Sequence, residues 1–221
     1  MKGGTGRRLT ERVRTATSRS PGSARWLARQ LNDPYVARAR EAGLRSRAAF
    51  KLLELDRQFR LLRPGLRVVD LGAAPGGWSQ VAVRKGAGRV VAIDLLEIEP
   101  IAGVVILEGD FLAAAATERV RAALGGQADL VLSDMAANTT GHAATDHLRI
   151  MALAEAALDF ALGVLAPGGA FVCKLFQGGG ERAFQETLKR HFARVRHAKP
   201  PASRKESAET YVVAQGFRPH D

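Results

Sequence analysis

The fold of this chain is decided by residues 70–80, Asp70-Leu-Gly-Ala-Ala-Pro-Gly-Gly-Trp-Ser-Gln80. The apolar run at 66–71 leads into this stretch and predicts a buried strand, and the amphipathic run at 78–83 leaves it as a helix. Glycines such as Gly76 and Gly77 allow a tight turn and a close backbone approach that a Cβ atom would block. Strand, glycine-rich turn and helix in this order are typical of an α/β sheet that binds an adenosine-bearing cofactor at its carboxyl edge.

The spacing of the glycines indicates which cofactor to expect. The pattern is G-x-x-x-G-G instead of G-x-G-x-x-G, and Pro75 lies inside the turn. The second pattern is the one that cradles the pyrophosphate of a dinucleotide. The turn therefore predicts a site for S-adenosylmethionine, with NAD as the weaker alternative.

Length and composition favour a single α/β domain with a sizeable core, since the chain has 221 residues of which 46% are apolar. One cysteine, Cys173, excludes a disulfide framework and a cysteine-based metal cluster, and it lies in a strand pattern as a small core residue. The apolar stretch at 151–166 is interrupted by Glu155 and Asp159, so no membrane-spanning segment is expected.

The net charge of +11 is concentrated in two segments. Residues 1–63 hold 16 Lys and Arg against 5 Asp and Glu, and residues 182–206 hold 8 against 2. The remainder is mildly acidic, with 9 against 15. Two basic segments around an acidic middle indicate a nucleic-acid backbone as partner; the alternative is a set of solvated arginines with no ligand.

The polar start of the chain, residues 1–23, predicts a basic arm that is disordered until it binds RNA. Residues 24–221 then form one domain, with N-terminal helices at 24–63 and a Rossmann-like core at 64–221. The arm lacks the apolar core of a secretory signal, which favours a cytoplasmic protein. Because it is rich in Arg and Ser, a transit peptide to the mitochondrial matrix is the alternative.

The second N-terminal helix carries a lysine in an unusual position. Its apolar residues recur at a spacing of three to four, and Ser46 is expected as its N-cap. Lys51 lies between these apolar positions and not on a plainly polar face. The alternative to a functional role is a lysine whose stem is buried and whose ammonium reaches water.

Two predicted strands, 89–94 and 104–110, end in carboxylates. Asp94 lies one βα unit after the glycines, where an acid suits the ribose hydroxyls of a bound nucleoside. Asp110 could accept a hydrogen bond from an adenine amino group. The alternatives are a solvated strand end or helix cap for Asp94, and a cap of the following helix for Asp110.

Three further charged residues lie at the ends or in the middle of later predicted strands. Asp134 stands at the carboxyl end of the strand at 128–134, where open α/β sheets place their chemistry. Lys174 lies within the apolar strand at 170–176, where an unpaired cation costs several kcal/mol. Glu209 stands at the entrance of the last strand. These alternating elements predict a doubly wound, mostly parallel seven-stranded sheet with one antiparallel strand and helices on both faces.

Taken together, these segments resemble the FtsJ/RrmJ (RlmE) family of ribosomal RNA 2′-O-ribose methyltransferases. The resemblance covers about residues 23–216, in order. It rests on the glycine turn and on Gly43-Leu-Arg-Ser-Arg-Ala-x-Phe-Lys51, Asp94-Leu-Leu, Gly109-Asp-Phe111, Ser133-Asp-Met-Ala136, Leu165-Ala-Pro-Gly-Gly169, Lys174-x-Phe-Gln-Gly178, Ser203-Arg204 and Glu209-x-Tyr211.

The resemblance implies a site, a cofactor and a substrate. A catalytic Lys-Asp-Lys-Glu tetrad corresponds to Lys51, Asp134, Lys174 and Glu209. The residues that match the family's S-adenosylmethionine site are Gly76, Trp78, Asp94, Asp110 and Asp134. The implied substrate is a uridine ribose in the A loop of 23S rRNA, presented in the 50S ribosomal subunit. No metal is required, no obligate protein partner is implied, and a monomer is expected.

One position departs from the family pattern. Ala137 stands where the family usually has proline, in the loop after Asp134. Losing a fixed φ loosens such a loop, so weaker donor or substrate binding is expected.

The residue types suggest a mechanism. A ribose 2′-hydroxyl must lose a proton as it attacks a sulfonium methyl group. Lys174 can take that proton only as a neutral amine, a form that burial and the nearby cation of Lys51 both favour. Lys174 is therefore expected to act as the base or to orient the hydroxyl, with Asp134 as its partner.

Three alternatives to this function remain. They are a methyltransferase of the same fold acting on tRNA or an mRNA cap, a non-catalytic RNA-binding assembly factor, and a nicotinamide dehydrogenase.

Overall fold

The computed structural model describes residues 31–137, 140–176, 182–204 and 206–219. The predicted arm at 1–23 and the Gly178–Gly180 segment lie outside these ranges. Within the described part of the chain, no helix is long and apolar enough to cross a membrane.

The core of the molecule is one seven-stranded sheet with the strand order β3-β2-β1-β4-β5-β7-β6. Six strands run parallel, and β7 is antiparallel to both of its neighbours, β5 and β6. The predicted sheet is thus confirmed. The strands are β1 Arg67–Leu71, β2 Arg89–Asp94, β3 Val104–Glu108, β4 Ala128–Ser133, β5 Leu165–Phe176, β6 Phe192–Ala198 and β7 Glu209–Phe217.

Helices cover both faces of this sheet. They are α1 Pro34–Glu41, α2 Ala48–Phe59, α3 Gly77–Arg84, α4 Ala116–Leu124, α5 Ala143–Val164 and α6 Arg182–His191. Buried side chains of α1, α2 and α3 form one apolar cluster with the sheet, and those of α4, α5 and α6 form another. Because parallel strands need both faces covered, these two layers explain why β1 and β4 read as continuous apolar runs.

Several sequence-based boundaries differ from the structure. Helix α2 begins at Ala48 after Arg47 and has no side-chain cap, so the prediction of Ser46 as N-cap was wrong. Asp33 and Pro34, which interrupt the helical pattern, instead begin α1, where the Asp33 carboxylate accepts a hydrogen bond from the backbone N–H of Tyr35. A proline is tolerated there because the first helical N–H has no partner within the helix.

Two strand ends also differ. Strand β3 ends at Glu108, so Asp110 lies two residues beyond it. The turn predicted at 167–169 lies within β5, which pairs with β4 at Leu165 and again from Ala170 after a register shift. This irregularity lets the strand begin five residues earlier than the apolar pattern indicates.

We expect Leu52→Ala to reduce the free energy of unfolding by about 2–5 kcal/mol, because Leu52 is fully buried between α2 and the sheet. Denaturation followed by fluorescence and by circular dichroism should give coincident curves, since buried side chains of α1 and α2 share one apolar cluster with the sheet. Leu148→Ala is the matched control, because the Leu148 side chain is exposed. Separate transitions for helices and sheet would contradict a single domain.

Candidate active site

The register of the sheet brings the four tetrad residues together. Lys174 in β5 lies directly opposite Tyr211 in antiparallel β7, and Glu209 lies two residues earlier on the same face of β7. Asp134 follows the last residue of β4, which pairs with the residue before Lys174. Lys51 comes from α2, which packs on this face of the sheet.

Among the residues that the structure describes, the polar contacts of the Lys174 ammonium are all to Asp134. Its Nζ lies 3.1 Å from the Asp134 Oδ1 atom and donates a hydrogen bond of 2.6 Å to the Asp134 backbone carbonyl. The side chain is 6% exposed, and an ammonium group has three hydrogens. These two contacts use two of them, which leaves a third for a ligand at the mouth of the site.

Lys51 joins the two carboxylates. Its Nζ lies 2.9 and 3.0 Å from the two Glu209 carboxylate oxygens and 3.5 Å from Asp134 Oδ2. With a side chain that is 7% exposed, Lys51 is a buried member of an ion-pair network. The alternative of a lysine that reaches water is therefore wrong.

Two residues that the sequence analysis did not assign to the site complete the network. The buried Tyr211 hydroxyl donates to Asp134 Oδ1 at 2.6 Å and lies 3.3 Å from Glu209 Oε1. Ser203 Oγ donates to the same Glu209 oxygen at 2.7 Å. The available signal for Tyr211 was the period of two in a strand, which places residues 209 and 211 on one face.

The electrostatics of the network fix two protonation states. Burial alone would raise the pKa of Asp134, but Lys174, then Lys51, then the Tyr211 hydroxyl hold that pKa below its ordinary value. Asp134 is therefore a carboxylate. Burial, together with the charges of Asp134 and Glu209, raises the pKa of Tyr211 well above its ordinary value. Tyr211 is thus a neutral hydrogen-bond donor and cannot serve as a base near neutral pH.

The neighbouring thiol takes no part in the chemistry. Cys173 is buried, as predicted, and burial raises its pKa to about 12. Because the thiolate is the nucleophilic form, Cys173 is inert at neutral pH.

A small cavity of about 50 Å³ adjoins the tetrad and opens between the glycine turn and the start of α2. Asp134 lines it together with Asp70, Trp78 and Ser46. The Trp78 indole donates to the Ala48 carbonyl at 2.8 Å, which locks the ring against α2. A cavity of this volume admits only a small part of a nucleoside-sized ligand.

The glycines of the turn are required by close packing. Gly76 has a φ of +99°, and a Cβ atom there would overlap the Ile101 side chain. A Cβ atom at Gly77 would overlap Ser46 Oγ. That Ser46 oxygen is buried and has no hydrogen-bond partner among the described residues, which marks the cavity as a place for a polar ligand group.

The two strand-end acids lie along the same edge but have different surroundings. Asp94 Oδ2 accepts a 2.8 Å hydrogen bond from the Ala74 N–H, and its Oδ1 accepts one from Leu96. Asp94 therefore ties the glycine turn to the loop after β2, and it is neither a helix cap nor a solvated strand end. Asp110 is exposed and accepts from the Leu112 N–H, while α4 is preceded by Ala115. Asp110 is not the cap of α4.

Arg45 fastens the same two loops, a role that the sequence did not reveal. Its guanidinium donates to the carbonyls of Pro75, Glu99 and Pro100 at 2.7–3.1 Å. The link between α1 and α2 is thereby attached to the turn that shapes the cavity.

Within the described ranges, no group of three or more His, Cys, Asp or Glu side chains is placed to hold a metal ion. Asp70 and Asp134 are the two acidic residues that line the cavity among the described residues. The tetrad beside them can hold and orient a hydroxyl group.

A mostly parallel sheet with this strand order, and a glycine turn beside an acid-lined cavity at its carboxyl edge, is the architecture of Rossmann-like methyltransferases. The FtsJ-like methyltransferase family matches residues 44–217. The chain belongs to this family and is a methyltransferase.

Individual proteins agree with this assignment. The chain is 62% identical over 216 residues to a ribosomal RNA large subunit methyltransferase E from Acidiphilium cryptum, and the match covers 98% of this chain and 96% of that protein. A protein of the same name from Paramagnetospirillum magneticum is 61% identical over 222 residues, which covers 97% and 91%. The crystal structure of a Plasmodium falciparum protein described as a ribosomal RNA methyltransferase superposes with a TM-score of 0.72 at 27% identity, covering 80% of this chain and all of that one.

Asp70→Asn should make the ligand-free protein more stable at pH 8 but not at pH 5. Burial raises the pKa of Asp70 to about 7, and the Ser79 hydrogen bonds offset this only in part. The wild-type fold therefore loses stability as pH rises from about 4 to about 7, by roughly 4 kcal/mol at most. An asparagine at position 70 cannot ionise, so the variant does not lose this part of its stability as the pH rises.

Thermal unfolding without donor at the two pH values measures this effect. For a chain of this size each kcal/mol corresponds to about 2–4 °C. Asp129→Asn is the control, because Asp129 accepts an exposed hydrogen bond from the Arg67 N–H at the other edge of the sheet. An equal difference between variant and wild type at both pH values would contradict a titrating Asp70.

Proposed function

We propose that this methyltransferase uses S-adenosylmethionine to methylate the 2′-hydroxyl of a uridine ribose in the A loop of 23S rRNA, within the 50S ribosomal subunit. One observation carries the proposal: Asp134 lines the cavity beside the glycine turn and also holds Lys174. A donor in that cavity and a hydroxyl on Lys174 would meet at the same carboxylate. The names of the relatives support rRNA as the substrate.

The donor site would be formed by the residues that the sequence analysis assigned to it. Trp78 and Asp134 line the cavity, and Gly76 lies in the turn between Pro75 and Gly77, which also line it. Asp94 and Asp110, along the open edge, would bind the ribose and the adenine amino group. S-adenosylmethionine would supply the methyl group: its methyl C–S bond would break as the ribose 2′-oxygen bonds to the carbon, and the thioether would be the leaving group. The proton of the 2′-hydroxyl would pass to Lys174 if that amine is neutral, or to water if Lys174 is an ammonium.

Lys174 would act at that oxygen. Its two contacts, to the carboxylate and the carbonyl of Asp134, are both to acceptors and suit an ammonium donor. The geometry thus favours Lys174 as the group that orients the hydroxyl. If Lys174 instead takes the proton, it must first be neutral, and Asp134 then holds the amine in place.

The other members of the tetrad would tune charge and position. The two lysines and two carboxylates have no net formal charge, so the site suits a cationic donor without repelling it. Tyr211 and Ser203 hold the carboxylates by hydrogen bonds. Lys51 and Glu209, next to the mouth of the site, would position the ribose.

The basic segments would hold the rRNA phosphates, which makes binding steeply dependent on salt. We place the protein in the cytoplasm, where it would meet assembling 50S subunits as a monomer.

The proposal is tested by mapping ribose methylation in 50S rRNA from a strain that lacks the gene. Mass spectrometry before and after adding protein and S-adenosylmethionine should show one new 2′-O-methyluridine in the A loop. Methylation of tRNA but not of 50S particles would move the substrate to another RNA. Donor binding by calorimetry without methylation of any RNA would indicate a non-catalytic binding factor.

Lys174→Ala should abolish methylation while leaving the donor affinity nearly unchanged, because Lys174 contacts Asp134 but does not line the donor cavity. We expect a loss of turnover on the order of 10²–10⁴-fold, measured with tritiated donor on unmethylated 50S particles. Calorimetry with S-adenosylmethionine reports donor binding.

Arg67→Ala is the matched control. Arg67 is exposed and begins β1 at the edge of the sheet opposite the tetrad, where its side chain bonds to the Gln127 carbonyl at 3.4 Å. Substantial turnover by Lys174→Ala would refute the role given to this lysine.

A further inference from the structure

We propose that a second cavity, outside the tetrad and the donor site, binds the nucleotide next to the methylated one, with its phosphate between Arg47 and Arg204. This inference rests on the proposed RNA substrate and extends it to a defined subsite.

The cavity has a volume of about 410 Å³ and is built at the start of α1 and on the loop between β6 and β7. A smaller cavity of about 300 Å³ adjoins it and reaches Glu209 of the tetrad. Arg47, Arg204 and Glu206 line both cavities. A chain whose ribose lies at the tetrad can therefore continue past these side chains into the larger space.

A buried carboxylate holds the two arginines at the place where the two cavities meet. Asp33, whose side chain is 7% exposed, has its Oδ2 atom 2.8 Å from Arg47 Nε and 3.3 Å from Arg204 Nη2. Arg47 also donates to the Ala202 carbonyl at 2.6 Å. Guanidinium groups fixed in this way lose little side-chain entropy when they bind a phosphate, and their planar fork suits its oxygens.

The charges and walls of the cavity suit a nucleotide better than a bare anion. Asp33 and the exposed Glu206 formally balance the two arginines, so the space as a whole is not strongly positive. The two arginines line both cavities, whereas Pro34, Tyr35, Pro201 and Ala202 line only the larger one. This division matches a nucleotide whose phosphate lies between the two arginines and whose base lies in the larger cavity.

The origin of the lining residues points to nucleic acid. All of them come from residues 32–47 and 201–206, which fall within the two basic segments of the sequence, and none comes from the acidic middle. The fold has thus brought the two basic segments together beside the tetrad, where a polyanion must pass.

The test compares Arg204→Gln with wild type on unmethylated 50S particles over a range of salt concentrations. We expect kcat/KM to fall on the order of ten- to hundredfold, as for one charge-assisted hydrogen bond. The slope of log affinity against log salt should fall by about 1. Arg204→Lys keeps the charge and should restore the slope but only part of kcat/KM, which a purely structural role would not predict.

Arg89→Gln is the matched control, since Arg89 begins β2 at the opposite edge of the sheet and bonds to the Ala123 carbonyl. Melting temperature and donor affinity verify that each variant is folded. If wild type does not methylate 50S particles, the proposed function fails. If wild type does so and Arg204→Gln changes neither kcat/KM nor the salt slope, the subsite alone is refuted.

A second measurement does not depend on the arginine. With Glu206→p-benzoylphenylalanine, irradiation on 50S particles should crosslink the protein to the nucleotide adjoining the methylated uridine, as read by primer extension. The same group in place of the exposed Arg67, at the opposite edge of the sheet, should give no crosslink there. A crosslink from position 206 only to distant nucleotides, or none from a variant that still methylates, would overturn the inference.

Discussion

The site depends on the burial of opposite charges around one carboxylate. Asp134 is 17% exposed and lies between the ammonium groups of Lys174 and Lys51. A buried ion pair contributes little net stability, but removing one partner leaves an uncompensated charge that costs several kcal/mol. Each member of the cluster therefore fixes the position of the others, and a ligand meets side chains that are already oriented.

That constraint explains the sheet topology at this point. A lysine in an all-parallel sheet would have apolar neighbours on both sides, whereas antiparallel β7 places Tyr211 opposite Lys174 and Glu209 within reach of Lys51. Lys51 arrives from α2, 158 residues before Glu209. Helix α2 thus contributes to the ion-pair cluster as well as to the core, and these ion pairs connect segments that are far apart in the sequence.

Much of the fold could be predicted from the sequence, because the segment from β1 to α3 combines apolar periodicity with closely spaced glycines. That combination is typical of a tight turn between a buried strand and a helix. Lys174 could be identified as a candidate site residue because packing does not explain a cation in an otherwise apolar strand. Tyr211 was missed as a site residue for the opposite reason: a tyrosine in a strand is ordinary, and only the register reveals its partner. The unpartnered Ser46 oxygen and the Arg45 contacts depend on how loops far apart in sequence approach each other, which no local pattern encodes.

A short segment connects the small cavity, the larger cavity and the tetrad. Arg45, Arg47 and Lys51 lie within seven residues, yet Arg45 bonds to the loops beside the small cavity, Arg47 lines the larger cavity and Lys51 joins the tetrad. Ser46, between the two arginines, lines the small cavity. A displacement of this segment would therefore change both cavities together, so under the proposed function the link between α1 and α2 is where binding of donor and binding of RNA would be coupled.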